Sequence, residues 1–407
     1  MLLVVIETGS KVVLTTDGNF RTNQSTHVIW ISYDKLSETV REGSSILLDD
    51  GAIELQVESV DKGKINCVAL NKGTLGNKKG VNIPGESVLL PAMSEKDKTD
   101  ILWGVKNDID FIAASFTRKA SDIKEIRNYV ASLMTKYHPP SHPHPLIISK
   151  IESTEALANF DSILEETDAI MVARGDLGVE VPMETLTNLQ KEIVRKSNLA
   201  GKPVIVATQM LESMQKNPRP TRAECTDVAN AVFDGADCVM LSGESAKGKY
   251  PYQSVNMMKR IVDQAETWIN SNRELSPAVA VKPRKDDNLE SVSHAAVEIS
   301  KNLNAACIIV ISKDGSLANI ISKFRPLVPV LAFVSNEKVG RLLQIHRGVY
   351  PVVDQTVADA SGKNSAVVEK AQSLGYCGKH QNVVIISAER SSYDLAYHTT
   401  IDVVSTI

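Results

Sequence analysis

Short apolar runs alternating with helical stretches predict an α/β protein, and three observations carry that reading. Beyond Pro91, continuous apolar runs at residues 110–116, 146–151, 169–173, 203–207 and 238–241 are separated by amphipathic segments. Strands apolar on both faces need helices on both sides, as in a parallel sheet or an α/β barrel. Ahead of Pro91 the pattern is instead one of short β-branched runs and glycine turns, and beyond residue 290 a second strand–helix alternation begins.

In chain order, residues 12–15, 27–31 and 46–48 are rich in Val, Ile, Leu and Thr. Asp49-Asp50-Gly51 then separates the last of these from residues 52–57, which alternate with period two, a hairpin pattern. Gly73, Gly76, Gly80 and Gly85 complete a small compact β domain over residues 1–90. Five strand–helix units follow over 91–274; one helix is expected at 183–198, with Leu186, Leu189 and Ile193 on one face and Gly201 as its stop. Residues 275–290, with Pro277, Pro283 and a charge cluster, read as a linker. The 291–407 domain should run helix 291–304, strand 307–312, helix 317–324, strand 328–334, further helix, and strand 382–387. A His/Pro-rich loop at 138–145 reads as a surface insertion, although its three histidines are of metal-binding type.

Composition narrows the function. Hydrophobic residues make up 43% and charged residues 23%, which excludes disorder, collagen and coiled coil. Lys plus Arg number 45 against 49 Asp plus Glu, a net charge of −4, so nothing drives the chain toward nucleic acid or an anionic membrane. No window reaches the roughly 20 apolar residues of a membrane span. The apolar start lacks a basic leader and does not read as a signal peptide. Cys67, Cys225, Cys238, Cys307 and Cys377 form no CxxC pair, which predicts reduced thiols and a cytoplasmic protein.

The chemistry should lie where polar residues follow the apolar strands, the end that carries active sites in α/β barrels. Lys150 and Glu152, two apart, point to one face; Arg174 and Asp176 repeat the spacing one strand later. Thr208 and Gln209, then Ser242 and Glu244, follow the next two strands. Glu152 and Asp176 together suit a hard, oxygen-seeking cation such as Mg²⁺ (or Mn²⁺), and Lys150 supplies a fixed positive charge beside them. Gly175 lets backbone approach a bound anion. The residues by themselves reach Mg²⁺-assisted chemistry on an anionic substrate.

Five stretches carry a resemblance to the pyruvate kinase family: Ile148-Ser149-Lys150-Ile151-Glu152; Met171 to Gly178 around Arg174-Gly175-Asp176; Ala207 to Met214; Pro218 to Glu224; and Met240 to Ser245. Gly80-Val81-Asn82-Ile83-Pro84-Gly85 extends it into the β domain. The resemblance implies an incomplete TIM-type β/α barrel carrying a small β-barrel lid domain and a C-terminal α/β domain. It implies transfer of the phosphoryl group of phosphoenolpyruvate to ADP, giving pyruvate and ATP, the last step of glycolysis. Carried over, Lys150 neutralises the phosphoryl group, Glu152 and Asp176 bind Mg²⁺, and backbone of Gly175 and Asp176 holds the substrate carboxylate. Thr208 stands where the enolate is protonated, Ser242 joins that proton relay, and Lys79 reaches the nucleotide phosphates.

The resemblance also places three βα units, a phosphate-gripping arginine and the K⁺ ligands upstream of residue 1, so the chain is expected to be N-terminally truncated, with little activity alone. A homotetramer is implied for the full-length form. Ser312-Lys313-Asp314-Gly315-Ser316 matches a sugar-phosphate effector loop, but Asp314 would repel the phosphate. Two other readings stay open: an inactive partner subunit of full-length enzyme, and a Mg²⁺-dependent aldolase or lyase of pyruvate-type enolates.

Overall fold

A computed structural model describes residues 3–22, 27–61, 63–86, 88–272, 283–284, 287–354, 364–390 and 397–406. Most of the expected linker, 275–282 with 285 and 286, lies outside the described residues.

The first unit contains β1 (Val4–Ile6), β2 (Lys11–Thr15), β3 (Val28–Trp30), helix α1 (Leu36–Thr39), β4 (Ser45–Leu48), β5 (Ile53–Asp61), β6 (Lys64–Ala69), β7 (Gly73–Leu75) and β8 (Val81–Asn82). Six strands form one sheet in the order β3-β2-β6-β5-β4-β8, and β1 pairs separately with β7. The expected hairpin is present, with Leu48 opposite Ile53. Its turn holds Asp49, Asp50 and Gly51 at φ of 54°, 55° and 83°, and aspartate and glycine are the residues that tolerate this left-handed path. Alternate residues of β4 and β5 (Ile46, Leu48, Ile53, Leu55, Val57) point into one apolar core with Val12, Leu14 and Ile65.

The second unit follows with α2 (Glu95–Lys106), β9 (Phe111–Ala114), α3 (Ala120–Tyr137), β10 (Leu146–Ile151), α4 (Thr154–Ala158), α5 (Phe160–Glu166), β11 (Ala169–Ala173), α6 (Arg174–Glu180), α7 (Leu186–Ala200), β12 (Val204–Ala207), α8 (Arg222–Asp234), β13 (Cys238–Met240), α9 (Gly243–Ala246) and α10 (Pro251–Ser271). All five strands are parallel, in the order β13-β12-β11-β10-β9. Period two splits their side chains between two cores. Ile147, Ile151, Ile170, Val172, Val204 and Val206 pack against the helices. Ile148, Ala169, Met171, Ile205 and Ala207 form the opposite face, where Ile345 of the C-terminal unit joins them.

The helix expected at 183–198 is divided, with a 3₁₀ turn Met183–Thr185 ahead of α7. Gly201 caps α7 at φ 71°, as expected. The buried face of α7 is centred on Gln190, Ile193, Val194 and Ser197 rather than on Leu186 and Leu189. A polar residue can sit there because Gln190 bonds Arg174 and Asp234.

The C-terminal unit comprises α11 (Asn288–Asn302), β14 (Cys307–Ile311), α12 (Ser316–Lys323), β15 (Val330–Val334), α13 (Glu337–Leu343), β16 (Val349–Val353), α14 (Asn364–Ser373), β17 (Asn382–Arg390) and β18 (Tyr397–Ser405). The sheet order is β16-β15-β14-β17-β18, with β18 antiparallel on one edge. Sequence patterning does not reveal β16 or β18: Tyr350 and Pro351 interrupt one, and polar His398, Thr399, Thr400 and Asp402 dilute the other.

Charged residues bolt this unit to the five-stranded one. Arg325 Nη1 and Nη2 donate to Asp237 at 2.7 and 3.0 Å, and Arg341 bonds Asp108 and Asp110. The His/Pro loop folds back onto its own unit. His138 donates to the Val105 carbonyl at 2.7 Å, and His142, stacked on it, donates to Asp108 at 2.7 Å.

His346 is buried in this interface, and burial pushes its imidazole down to about 4 from 6.5, with Asp237 opposing and Arg325 assisting. Between those values the unfolded chain binds a proton that the folded chain does not, so stability rises with pH across the interval. Urea unfolding should show stability flat above about pH 7 and lower by on the order of 3 kcal/mol near pH 4. His346→Gln should remove most of that slope; an unchanged slope would place its origin elsewhere.

Candidate active site

The carboxyl ends of β10, β11 and β12 bring four of the expected residues together. Lys150 Nζ lies 2.5 Å from Glu152 Oε1 and donates to Ser115 Oγ at 2.9 Å. Glu152 is 1% exposed. Its Oε2 accepts the Phe116 N–H, while Oε1 is buried in an ion pair without hydrogen-bond geometry to any described donor. Phe116 adopts φ 51°, which turns that N–H toward the carboxylate.

Asp176, in the first turn of α6, lies close enough to Glu152 for the two carboxyls to interact. Burial first, and then the charge of Glu152, push its carboxyl above the usual range, with Lys150 pulling the other way. Two carboxylates that share a half-buried site repel when both are ionised. A divalent cation relieves that repulsion, and the all-oxygen donor set, in which Glu152 Oε1 accepts no hydrogen bond, fits Mg²⁺. Among the described residues no third carboxylate, histidine or cysteine joins the pair.

Thr208 completes the cluster. Its Oγ1 accepts the Gly175 N–H at 2.8 Å, and an alanine Cβ at Gly175 would meet the Thr208 side chain at 3.6 Å. The Gly175 N–H is thus already donated to protein. Thr208 and Gln209 both have positive φ, 70° and 55°.

Ser242 follows β13. Its Oγ is buried with no partner among the described residues, and its N–H donates to Glu244 Oε2 at 2.8 Å. Glu244, fully buried, accepts the Leu211 N–H at 2.9 Å through its other oxygen. One carboxylate therefore ties the β12 and β13 ends to each other.

Lys79 is not brought into this cluster. Its ammonium bonds Asp49 at 2.7 Å within the β unit, and that hydrogen bond raises its pKa. The β unit reaches the site through other residues: Asn82 Nδ2 lies 3.5 Å from Glu180 Oε1 at the end of α6, and Gly51 faces Val179. Sequence reasoning missed Ser115, Phe116, Glu180 and Asp227, none of which belongs to a strand-end pair spaced by two. In the C-terminal unit, Asp314 accepts from Ser312 Oγ, Ser316 N and Ser316 Oγ at 3.0, 3.0 and 2.7 Å. It fills the start of α12 with its own negative charge.

Comparison with known proteins identifies the family. A family model described as pyruvate kinase, barrel domain, matches residues 3–255, and one described as pyruvate kinase, alpha/beta domain, matches 290–396. A pyruvate kinase of Sporosarcina psychrophila is 47% identical over 89% of this chain and 60% of its own length. One of Geobacillus stearothermophilus is 43% identical over 95% of this chain and 64% of its own. A crystal structure of a pyruvate kinase from Cryptosporidium parvum superposes with a TM-score of 0.86 at 37% identity, covering 98% of this chain and 79% of that one. The chain thus spans 60% to 64% of the length of these two bacterial relatives. Matched over residues 3–255 and 290–396, the chain belongs to the pyruvate kinase family.

Proposed function

We propose that this chain carries the reaction centre for transfer of a phosphoryl group from phosphoenolpyruvate to ADP, giving pyruvate and ATP. The observation that carries the reading is the convergence of Lys150, Glu152, Asp176 and Thr208 at three adjacent strand ends. Glu152 and Asp176 would hold Mg²⁺, which supplies charge neutralisation to phosphoryl oxygens. The Lys150 ammonium offsets the negative charge that builds on the phosphoryl group and the departing enolate. Backbone at Gly175 and Asp176 faces the substrate carboxylate, with Gly175 shared between that group and Thr208. The Thr208 hydroxyl orders proton delivery to the enolate carbon, and Ser242, whose Oγ has no described partner, extends that relay.

Lys79 binds nucleotide phosphate only after leaving Asp49, so the β unit, residues 1–90, acts as a lid over the 91–274 unit. Residues 275–290 link this body to a 291–407 domain. By analogy with the family, the proposal extends to K⁺ dependence, a homotetramer and a cytoplasmic location. Among the described residues no helix is long and apolar enough to cross a membrane.

The test is pyruvate formation from phosphoenolpyruvate and ADP, with Mg²⁺ and K⁺ present. ADP-dependent turnover is expected, at a low rate for this chain alone. Pyruvate released without ADP would favour an enolate lyase. No turnover from a soluble, monodisperse chain would overturn the proposal.

A further inference from the structure

We propose that Arg174 and Asp227 form a positioning pair that holds Thr208 in its left-handed backbone conformation; the inference rests on the reaction proposed above. Threonine is β-branched and avoids positive φ, so its 70° persists only if the surroundings over-determine it. The determinant is visible. The Thr208 carbonyl accepts from Arg174 Nε at 3.1 Å and from Nη2 at 2.7 Å. The same guanidinium donates from Nη1 and Nη2 to the two oxygens of Asp227, each at 2.8 Å. Gln190 Oε1, 3.3 Å from Nη1, and Met210 Sδ, 2.9 Å from Nη2, complete its surroundings.

A guanidinium has five N–H donors in a rigid fork. Here all are directed at protein atoms, and Arg174 is 9% exposed. Although it opens the Arg174-Gly175-Asp176 stretch, it keeps no donor for a substrate phosphate or carboxylate. It acts through Thr208. Asp227, on α8, fixes the plane of the fork, and the fork fixes the Thr208 carbonyl. The fixed backbone in turn aims Oγ1 at the Gly175 N–H. Lysine could supply the charge but not the planar, two-sided grip.

Crystal structures of the parent chain and of Asp227→Asn and Asp227→Ala test this without reference to activity. Thr208 should leave the left-handed region in both variants and lose its bond to Gly175. In solution, Asp227→Asn should lower kcat for pyruvate formation about 10- to 100-fold, with KM for phosphoenolpyruvate within about threefold. Exchange of pyruvate methyl hydrogens with D₂O should fall by the same factor. Asp227→Glu should recover part of both rates. An unmoved Thr208 backbone overturns the inference, as do parental kcat and exchange rates per folded molecule alongside a lowered melting temperature. If the parent makes no pyruvate, the proposed reaction fails while the crystal structures still decide the positioning. Should Asp227→Ala not fold, the isosteric Asp227→Asn decides it.

Discussion

Lys150→Met should lower the rate of pyruvate formation by at least about a thousandfold, because preorganised charge at the reacting group is among the largest catalytic terms. Methionine keeps the length and the apolar stem while removing the ammonium. In the folded chain that ammonium serves two partners, Glu152 and Ser115. Its loss leaves the buried Glu152 carboxylate with the Phe116 N–H and no cation. The variant should therefore also melt lower, and added Mg²⁺ should recover part of the difference. Rates within tenfold of the parent, measured by coupled pyruvate assay on folded protein, would remove Lys150 from the chemistry.

Asp237→Ala should cost about 3–5 kcal/mol, the range for removing one partner of a buried ion pair. The Asp237 side chain is 3% exposed and that of Arg325 is 18%. Asp237 also accepts the Val204 N–H at 3.0 Å at the start of β12 and the Arg347 N–H at 3.3 Å. A single substitution leaves two backbone donors without their acceptor and leaves the Arg325 guanidinium with only neutral acceptors, Asn198 Oδ1 and the Ser322 and Gly235 carbonyls. Asp237→Asn, which keeps one acceptor oxygen, should cost roughly half as much. Urea unfolding followed by far-UV circular dichroism reads both. A loss under about 1 kcal/mol for the alanine variant would show that water replaces the lost partners.

What could be read without coordinates was local and periodic. The hairpin at Asp49-Asp50-Gly51, the Gly201 stop and the five parallel strands each declare themselves through turn chemistry or unbroken apolar runs. Lys150 and Glu152 stood out because a spacing of two puts both side chains on one face. Spatial partners were not legible in this way. Asp227 lies on a helix 53 residues from Arg174, and Phe116 meets Glu152 through a backbone N–H, which no side-chain pattern encodes. Gln190 looks like a polar interruption of an apolar stripe until Arg174 explains it. The edge strand β18 is hidden for another reason, since an edge exposed to water has no need to be continuously apolar.

Helix α6 begins with Arg174, Gly175 and Asp176 at the candidate site and ends at Glu180, which Asn82 of the β unit touches. It is seven residues long, about 10 Å from end to end. Such a short helix transmits force as a rigid strut. Arg118 meanwhile grips the Val88 and Leu90 carbonyls at the exit of the β unit, which makes that exit a pivot. The β unit and the strand ends that carry Gly175 and Asp176 are thereby joined through one short helix.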